Sequence, residues 1–178
     1  MLEYLEWTAL LLGALLLAIV LIASRRPGSF AFARTMRVSA TPERVFPLLN
    51  DLKAMNSWNP FVLRDPNIIG EYSGPATGPG ARYSFISKKS GTGSCEITDA
   101  VAPSKVEMRL DMARPMTASN RVTLSVVPVG DASDVTWSMS GERPLLIKIM
   151  SLFFESDKMM ATEFDKGLNG LKEIAERG

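Results

Sequence analysis

The chain has 178 residues, a formal net charge of +1, one cysteine and no histidine. Without histidine, His-based acid–base chemistry, His-containing triads and most catalytic zinc sites are excluded. The lone Cys95 excludes an internal disulfide and a cysteine-cluster metal site. The first 23 residues carry only Glu3 and Glu6, so the rest holds 20 basic against 17 acidic groups, net +3, with no dense basic run. That balance excludes a dedicated nucleic-acid binder, and the length suits one domain of about 150 residues with an appendage.

Residues 8–23 (TALLLGALLLAIVLIA) carry no charge, and Leu5 and Trp7 extend the run. At 1.5 Å per residue it spans roughly 24–28 Å, slightly under the ~30 Å hydrocarbon layer. Three readings compete: an uncleaved anchor, a cleaved signal peptide and a buried core helix. A signal peptide wants a basic start and a small-residue cleavage site, whereas here the start is acidic and Arg25 and Arg26 close the run. A core helix would show a polar face, and none is present. The expectation is therefore a transmembrane anchor over residues 1–23, with Arg25 and Arg26 on the cytoplasmic side. Residues 24–29 (SRRPGS) form a linker, short enough to keep a domain of residues 30–178 close to the bilayer.

Residues 30–38 predict a first strand. Arg34 shares its face with Phe32, Met36 and Val38, which makes it either a pocket cation or a strand-end residue reaching for solvent. Thr41, Pro42 and Glu43 open a helix that buries Val45, Phe46, Leu48 and Leu49, and Pro47 shortens or distorts it. Asp51 caps a second small helix running through Met55 and ending near Asn59 and Pro60. Trp58 and Phe61 follow in a loop, either lining a pocket mouth or plugging the edge of the core.

Period-two patterning then takes over. Residues 68–73 form a strand and residues 74–80 (GPATGPG) a loop. Ala81, Tyr83 and Phe85 alternate with Arg82, Ser84 and Ile86. After a turn at residues 88–91 come Cys95, Ile97 and Val101, with Asp99 as the odd polar member. Val106, Met108, Leu110 and Met112 alternate with Lys105, Glu107, Arg109 and Asp111, one face wet and one dry. Asn120, Val122, Leu124 and Val126 form another strand, and a turn at Gly130 and Asp131 leads to its partner with Val135, Trp137 and Met139. Residues 145–154 are apolar on most sides and read as a short helix or lid, too short to span a bilayer. Residues 157–176 form an amphipathic helix with Met160, Phe164, Leu168, Leu171 and Ala175 on one face and Ile174 at its edge. Gly167 and Gly170 at its margin mark either close backbone approach or poor helix optimisation.

Residues 39–46 (SATPERVF) resemble the small-Ala-x-Pro-Glu-x-Val-aromatic opening of the SRPBCC superfamily, the START-like or polyketide cyclase/dehydrase proteins. Asp51 and Leu52 followed by Trp58, Asn59, Pro60 and Phe61 resemble its D-L-x-x-W-x-P-W/F loop. Residues 164–172 (FDKGLNGLK) are similar to the closing helix of a bacterial subgroup that often has an N-terminal membrane segment. The resemblance covers residues 30–176. It implies an α+β helix-grip fold: a curved antiparallel sheet of about seven strands wrapped around a long C-terminal helix, with two short helices after strand 1. With the anchor, it implies a location in the inner membrane of a bacterium, the C-terminal domain cytoplasmic.

The resemblance further implies an apolar cavity between sheet and long helix, used by relatives for lipids, sterols, polyketides or hormones. Candidate ligand-binding residues on that basis are Tyr83, Phe85, Ile97, Met108, Leu110, Leu124, Trp137 and Met139 on strands, with Cys95 and Val122 beside them. Phe164 and Leu168 face them from the helix, Trp58 and Phe61 stand at the entrance, and Arg34 is the candidate cation. The leading reading is a membrane-tethered binder or carrier of a hydrophobic small molecule, with no catalytic residue, metal or cofactor assigned. A protein-interaction module using residues 145–154 is the first alternative. A cyclase/dehydrase-type enzyme is the second, with Arg34, Asp99, Tyr83 and Tyr72 as the only polar candidates and Asp99 as either a base or a bulge residue.

Overall fold

The computed structural model describes residues 1–150, 152 and 156–177. Its contacts divide the chain into two compact units, Met1–Phe30 with Glu142–Ser156, and Ala31–Gly141 with Asp157–Gly178. The sequence reading closes the N-terminal part at residue 29; the contacts assign Glu142–Ser156 to that part as well.

The first unit holds helix α1 (Leu2–Ser24). Its segment Glu6–Ser24 is long and apolar enough to cross a membrane, and Leu10, Leu11, Leu15 and Leu16 project from it without protein cover. After α1, the Arg143 backbone N–H donates to the Gly28 carbonyl at 2.8 Å. The Arg143 guanidinium lies 5.6 Å from the centre of the Phe30 ring. The apolar run after residue 144 forms a helix over Leu145–Met150, as its pattern predicts. Residues 151 and 153–155 of that run lie outside the described residues.

The second unit is a seven-stranded antiparallel sheet against one long helix. The strands are β1 (Ser29–Val38), β2 (Ile69–Ser73), β3 (Arg82–Ser87), β4 (Gly91–Val101), β5 (Lys105–Arg114), β6 (Ala118–Val129) and β7 (Ala132–Glu142). They lie in the order β1-β7-β6-β5-β4-β3-β2, so consecutive hairpins build six strands and β1 closes on β7. The unit's helices are α2 (Pro42–Val45), α3 (Pro47–Asn50), α4 (Leu52–Asn56), α5 (Pro60–Leu63) and α7 (Ser156–Arg177), while α6 (Leu145–Met150) belongs to the first unit. This is the helix-grip arrangement that the three motifs imply.

Local chemistry explains the short helices. Pro47 has no N–H to continue a hydrogen-bonded ladder, so the run after Thr41 breaks into two single turns, α2 and α3, that fully bury Val45 and Leu49. Phe46 and Leu48 are only half-buried. Asp51 caps α4, its carboxylate accepting from the backbone N–H of Lys53 at 2.7 Å. The loop expected after Asn59 is in fact α5. Asn59 accepts from the Phe61 N–H at 3.1 Å, and Pro60 occupies the first helical position. An Asn–Pro pair that stops one helix thus starts the next.

The dry face of the sheet follows its registers. Val106, Leu124 and Trp137 form one row across β5, β6 and β7, and Met108, Val122 and Met139 the next. All six are buried, and Phe164, Leu168, Leu171 and Ala175 of α7 pack on this unit's core. Gly167 supplies the close approach. A Cβ there would lie 2.5 Å from Trp137 Cζ3 and 2.9 Å from Pro60 Cδ. At Gly170 the nearest atom, Trp58 Cβ, is 3.3 Å away. Alanine gains about 1 kcal/mol of helix propensity at either site, and overpacking costs about 1–3 kcal/mol. Gly167→Ala is therefore expected to lower the melting temperature by up to about 8 °C, and Gly170→Ala to leave it equal or higher. Thermal melts in which the two alanines behave alike would remove close approach as the reason for Gly167.

Candidate functional site

A cavity of about 270 Å³ lies within the second unit. Its sheet side is built by register. Tyr83, Cys95, Leu110 and Asn120 pair in one row across β3, β4, β5 and β6, and all four line the space. Phe85 and Met112 extend it in one direction, Val122, Met139 and Trp137 in the other. Met160 and Phe164 face it from α7. Leu52, Met55 and Asn56 from α4, and Asn59, Phe61 and Val62 around α5, close it together with Ile68 and Ser90.

The α5 side is fastened to the β3–β4 turn. Ser90 Oγ donates to the Phe61 carbonyl at 2.6 Å, and Lys89 Nζ to the Arg64 carbonyl at 2.9 Å. Ser87 Oγ donates to the Asp65 carboxylate at 2.6 Å. That bond, with the backbone N–H groups of Asn67 and Lys88, holds the Asp65 carboxyl below the usual carboxylate range against the opposing effect of desolvation. Arg64 bridges to Glu163 of α7 at 3.0 Å and lays its guanidinium 4.7 Å from the centre of the Phe61 ring.

Aromatic packing sets the centre. Trp137 stacks on Phe164 with centroids 4.4 Å apart and planes 7° apart, and meets Trp58 edge-on at 5.5 Å and Phe61 at 6.3 Å. The Trp137 Nε1–H is buried and has no hydrogen-bond acceptor among the described residues. Tyr83 stacks on Phe85 with centroids 5.9 Å apart, and Tyr72 meets it tilted by 36° at 4.7 Å. Among the described residues, no carboxylate, lysine or arginine lines the space; Tyr83 and Cys95 are the titratable lining groups. Burial raises Tyr83 above its usual value, with nearby Tyr72 adding to it. Desolvation foremost, with Asp111 and Glu96 adding repulsion, pushes the Cys95 thiol up to about 12. Among the described residues, no group of three Cys, Asp or Glu is placed to hold a metal ion.

Seven of the thirteen residues singled out from the sequence meet on this lining: Phe61, Tyr83, Phe85, Leu110, Trp137, Met139 and Phe164. Trp58, Ile97, Met108, Leu124 and Leu168 do not. They are buried core, each 1% exposed or less, although Met108 and Leu124 share rows with the lining residues Val122, Met139 and Trp137. Alternation identifies a face and not the position along it where space opens. Arg34 is not a pocket cation. It sits on the edge strand β1, exposed, and forms a two-pronged pair with Asp165 of α7 at 2.9 and 2.7 Å. That contact, by hydrogen bonding first and charge second, holds Asp165 below the usual carboxylate range. Asp99 lies at the β-bulge after Ile97 and pairs with Lys105 at 3.3 Å, away from the lining. Sequence reasoning missed Asn56, Asn59, Val62, Ile68 and Ser90, which come from single-turn helices and turns with no periodicity to read. Asn120 was legible as a polar residue on a dry parity.

The sequence profile of a family described as "polyketide cyclase / dehydrase and lipid transport" matches residues 29–176. No curated protein sequence matches the chain. Among solved structures, a structural-genomics protein of Chromobacterium violaceum is 15% identical, with a TM-score of 0.59 over 86% of this chain and 100% of its own. The Aha1 dimer of Colwellia psychrerythraea is 16% identical, with a TM-score of 0.59 over 84% and 98%. Norcoclaurine synthase of Thalictrum flavum, solved with dopamine and hydroxybenzaldehyde, is 11% identical, with a TM-score of 0.62 over 84% and 88%. At such identities the likeness is one of fold.

Proposed function

We propose that this chain, which belongs to the polyketide cyclase/dehydrase and lipid transport family, binds and carries an apolar small molecule in the cavity beneath α7. The observation that carries this reading is the cavity itself: about 270 Å³, walled mainly by aromatic, aliphatic and thioether groups, with Asn56, Asn59, Asn120, Ser90 and Cys95 among them and no charged side chain among the described residues. Its size is at the lower edge of ordinary ligand sites, roughly 300–1,000 Å³. A ring system or one short chain suits it better than a two-chain lipid. Norcoclaurine synthase, of the same fold, is seen with two aromatic molecules, which supports an occupant of that scale.

Binding is favoured over turnover because proton transfer at neutral pH needs a group that titrates near there. Tyr83 and the Cys95 thiol, the titratable lining groups, are both shifted upward by burial. Solvent extraction of the full chain purified in detergent should release a small apolar species in near-equimolar amount. A chain recovered without one, whose cavity resonances also fail to respond to added acetophenone, refutes the reading.

In the same proposal α1 is an uncleaved anchor in a bacterial inner membrane, with Arg25 and Arg26 and the following domain on the cytoplasmic side. Tethering raises the effective concentration of the carrier at a surface where apolar molecules partition. Protease added to intact spheroplasts is expected to leave the domain uncut and to digest it after lysis. Digestion before lysis would reverse the orientation, and a mature chain lacking residues 1–23 would make α1 a signal sequence.

A further inference from the structure

Helix α6 belongs to the same compact unit as α1 and packs against it. Among the described side chains of α1, Ile19 and Ala23 are the covered ones, a turn apart at its C-terminal end, whereas Leu21 and Ile22 beside them are 51% and 56% exposed. α6 therefore sits at the level where the apolar span ends, next to Arg25 and Arg26. Its own apolar groups are only partly covered: Leu145 is 46% exposed, and Ile147 and Ile149 are half-buried. The one charged group among them is Lys148, whose Nζ lies 3.9 Å from the point where a Cβ on Gly28 would stand. Arg143 reaches the same linker, through its N–H on the Gly28 carbonyl at 2.8 Å and its guanidinium 5.6 Å from the centre of the Phe30 ring. Residues 24–30 and 142–156 together hold four basic and two acidic groups, net +2. An apolar face that continues the uncovered surface of α1, rimmed by long cations able to extend toward headgroups, has the chemistry of an interfacial segment.

On the reading that α1 is an anchor with Arg25 and Arg26 at the cytoplasmic face, we propose that α6 is a second membrane contact. It lies in the headgroup layer beside the end of α1, and Arg25, Arg26, Arg143 and Lys148 gather anionic phospholipid around it. Burial of Leu145, Ile147 and Ile149 among acyl chains holds the helix at the surface, and the cations set which headgroup borders it.

Nitroxide-labelled lipids test this on the methyl-labelled full chain in phosphatidylcholine nanodiscs, read as broadening of nuclear magnetic resonance signals. A label deep in the acyl chain should broaden Leu15, halfway along the apolar span, and so reports on the anchor by itself. A label near the headgroup should broaden Leu145, Ile147 and Ile149 as strongly as Leu21, the exposed α1 residue at their level. Placing the same label on phosphatidylglycerol at equal mole fraction should raise the effect on α6 about fivefold, the scale of one basic side chain near a charged surface. In the double variant Arg143→Gln, Lys148→Gln that preference should fall away while the phosphatidylcholine effect remains. Should the variant fail to fold, the wild-type comparison of headgroups decides alone. Unmoved α6 signals beside a broadened Leu21, the result expected if a protein partner covers α6, overturn the inference and leave the anchor standing. Equal effects of the two headgroups overturn it as well. A Leu15 signal untouched by the deep label defeats both readings.

Discussion

Phe164→Ala is expected to destabilise the domain by about 3–5 kcal/mol, the range for removing a buried phenylalanine side chain. Phe164 is 1% exposed and is the α7 residue that stacks directly on Trp137. Its ring both anchors the helix and walls the cavity. Truncation would open a void continuous with existing space, so neighbours have little incentive to collapse into it. Urea denaturation of the full chain in detergent reads the loss, with Ile174→Ala on the exposed margin of the same helix as a control expected to stay within about 0.5 kcal/mol. A loss at Phe164 below about 1 kcal/mol would mean that the stack does not hold α7 to the sheet.

The second large effect is on binding. Cys95 sits mid-sheet in the row of Tyr83, Leu110 and Asn120, and its small side chain leaves the space above it open. In Cys95→Phe the new ring occupies that space. Overpacking costs about 1–3 kcal/mol in a filled core, but here burial of the ring in a void offsets it. The melting temperature is therefore expected to stay within a few degrees. Acetophenone affinity should fall at least about tenfold, and the co-purifying species should disappear. Retained affinity in a folded Cys95→Phe chain would place the binding elsewhere.

The fold was legible because its determinants are local and repetitive. Alternation in β5 and β6, the stripe of α7 and the Thr41–Pro42 and Asp51 starts are each visible in a window of ten residues. Their order, with three packing motifs, pointed to the helix-grip arrangement. The cavity was legible only as a face. Tyr83, Leu110 and Met139 line it while Ile97, Met108 and Leu124, on equivalent parities, are solid core. What separates them is how strand registers stack against α7, a property of seven strands together that no single strand encodes. Arg34 shows the same limit from another side. Its parity put it among apolar neighbours, but β1 is an edge strand, and Asp165 comes from a helix 131 positions later. The Asn59–Pro60 pair was read as a stop, correctly for α4, and its second role as the start of α5 depends on where the chain turns next.

A cavity lined by no charged side chain among the described residues, in a protein whose ion pairs lie mostly at the surface, separates two responses to added salt. Added salt weakens exposed pairs such as Arg34 with Asp165 and largely screens attractions that act over more than a Debye length, about 8 Å at physiological ionic strength. A neutral guest has nothing for salt to screen. Its partition into the protein should stay level, or tighten through salting-out, across a titration in which the exterior attractions fade.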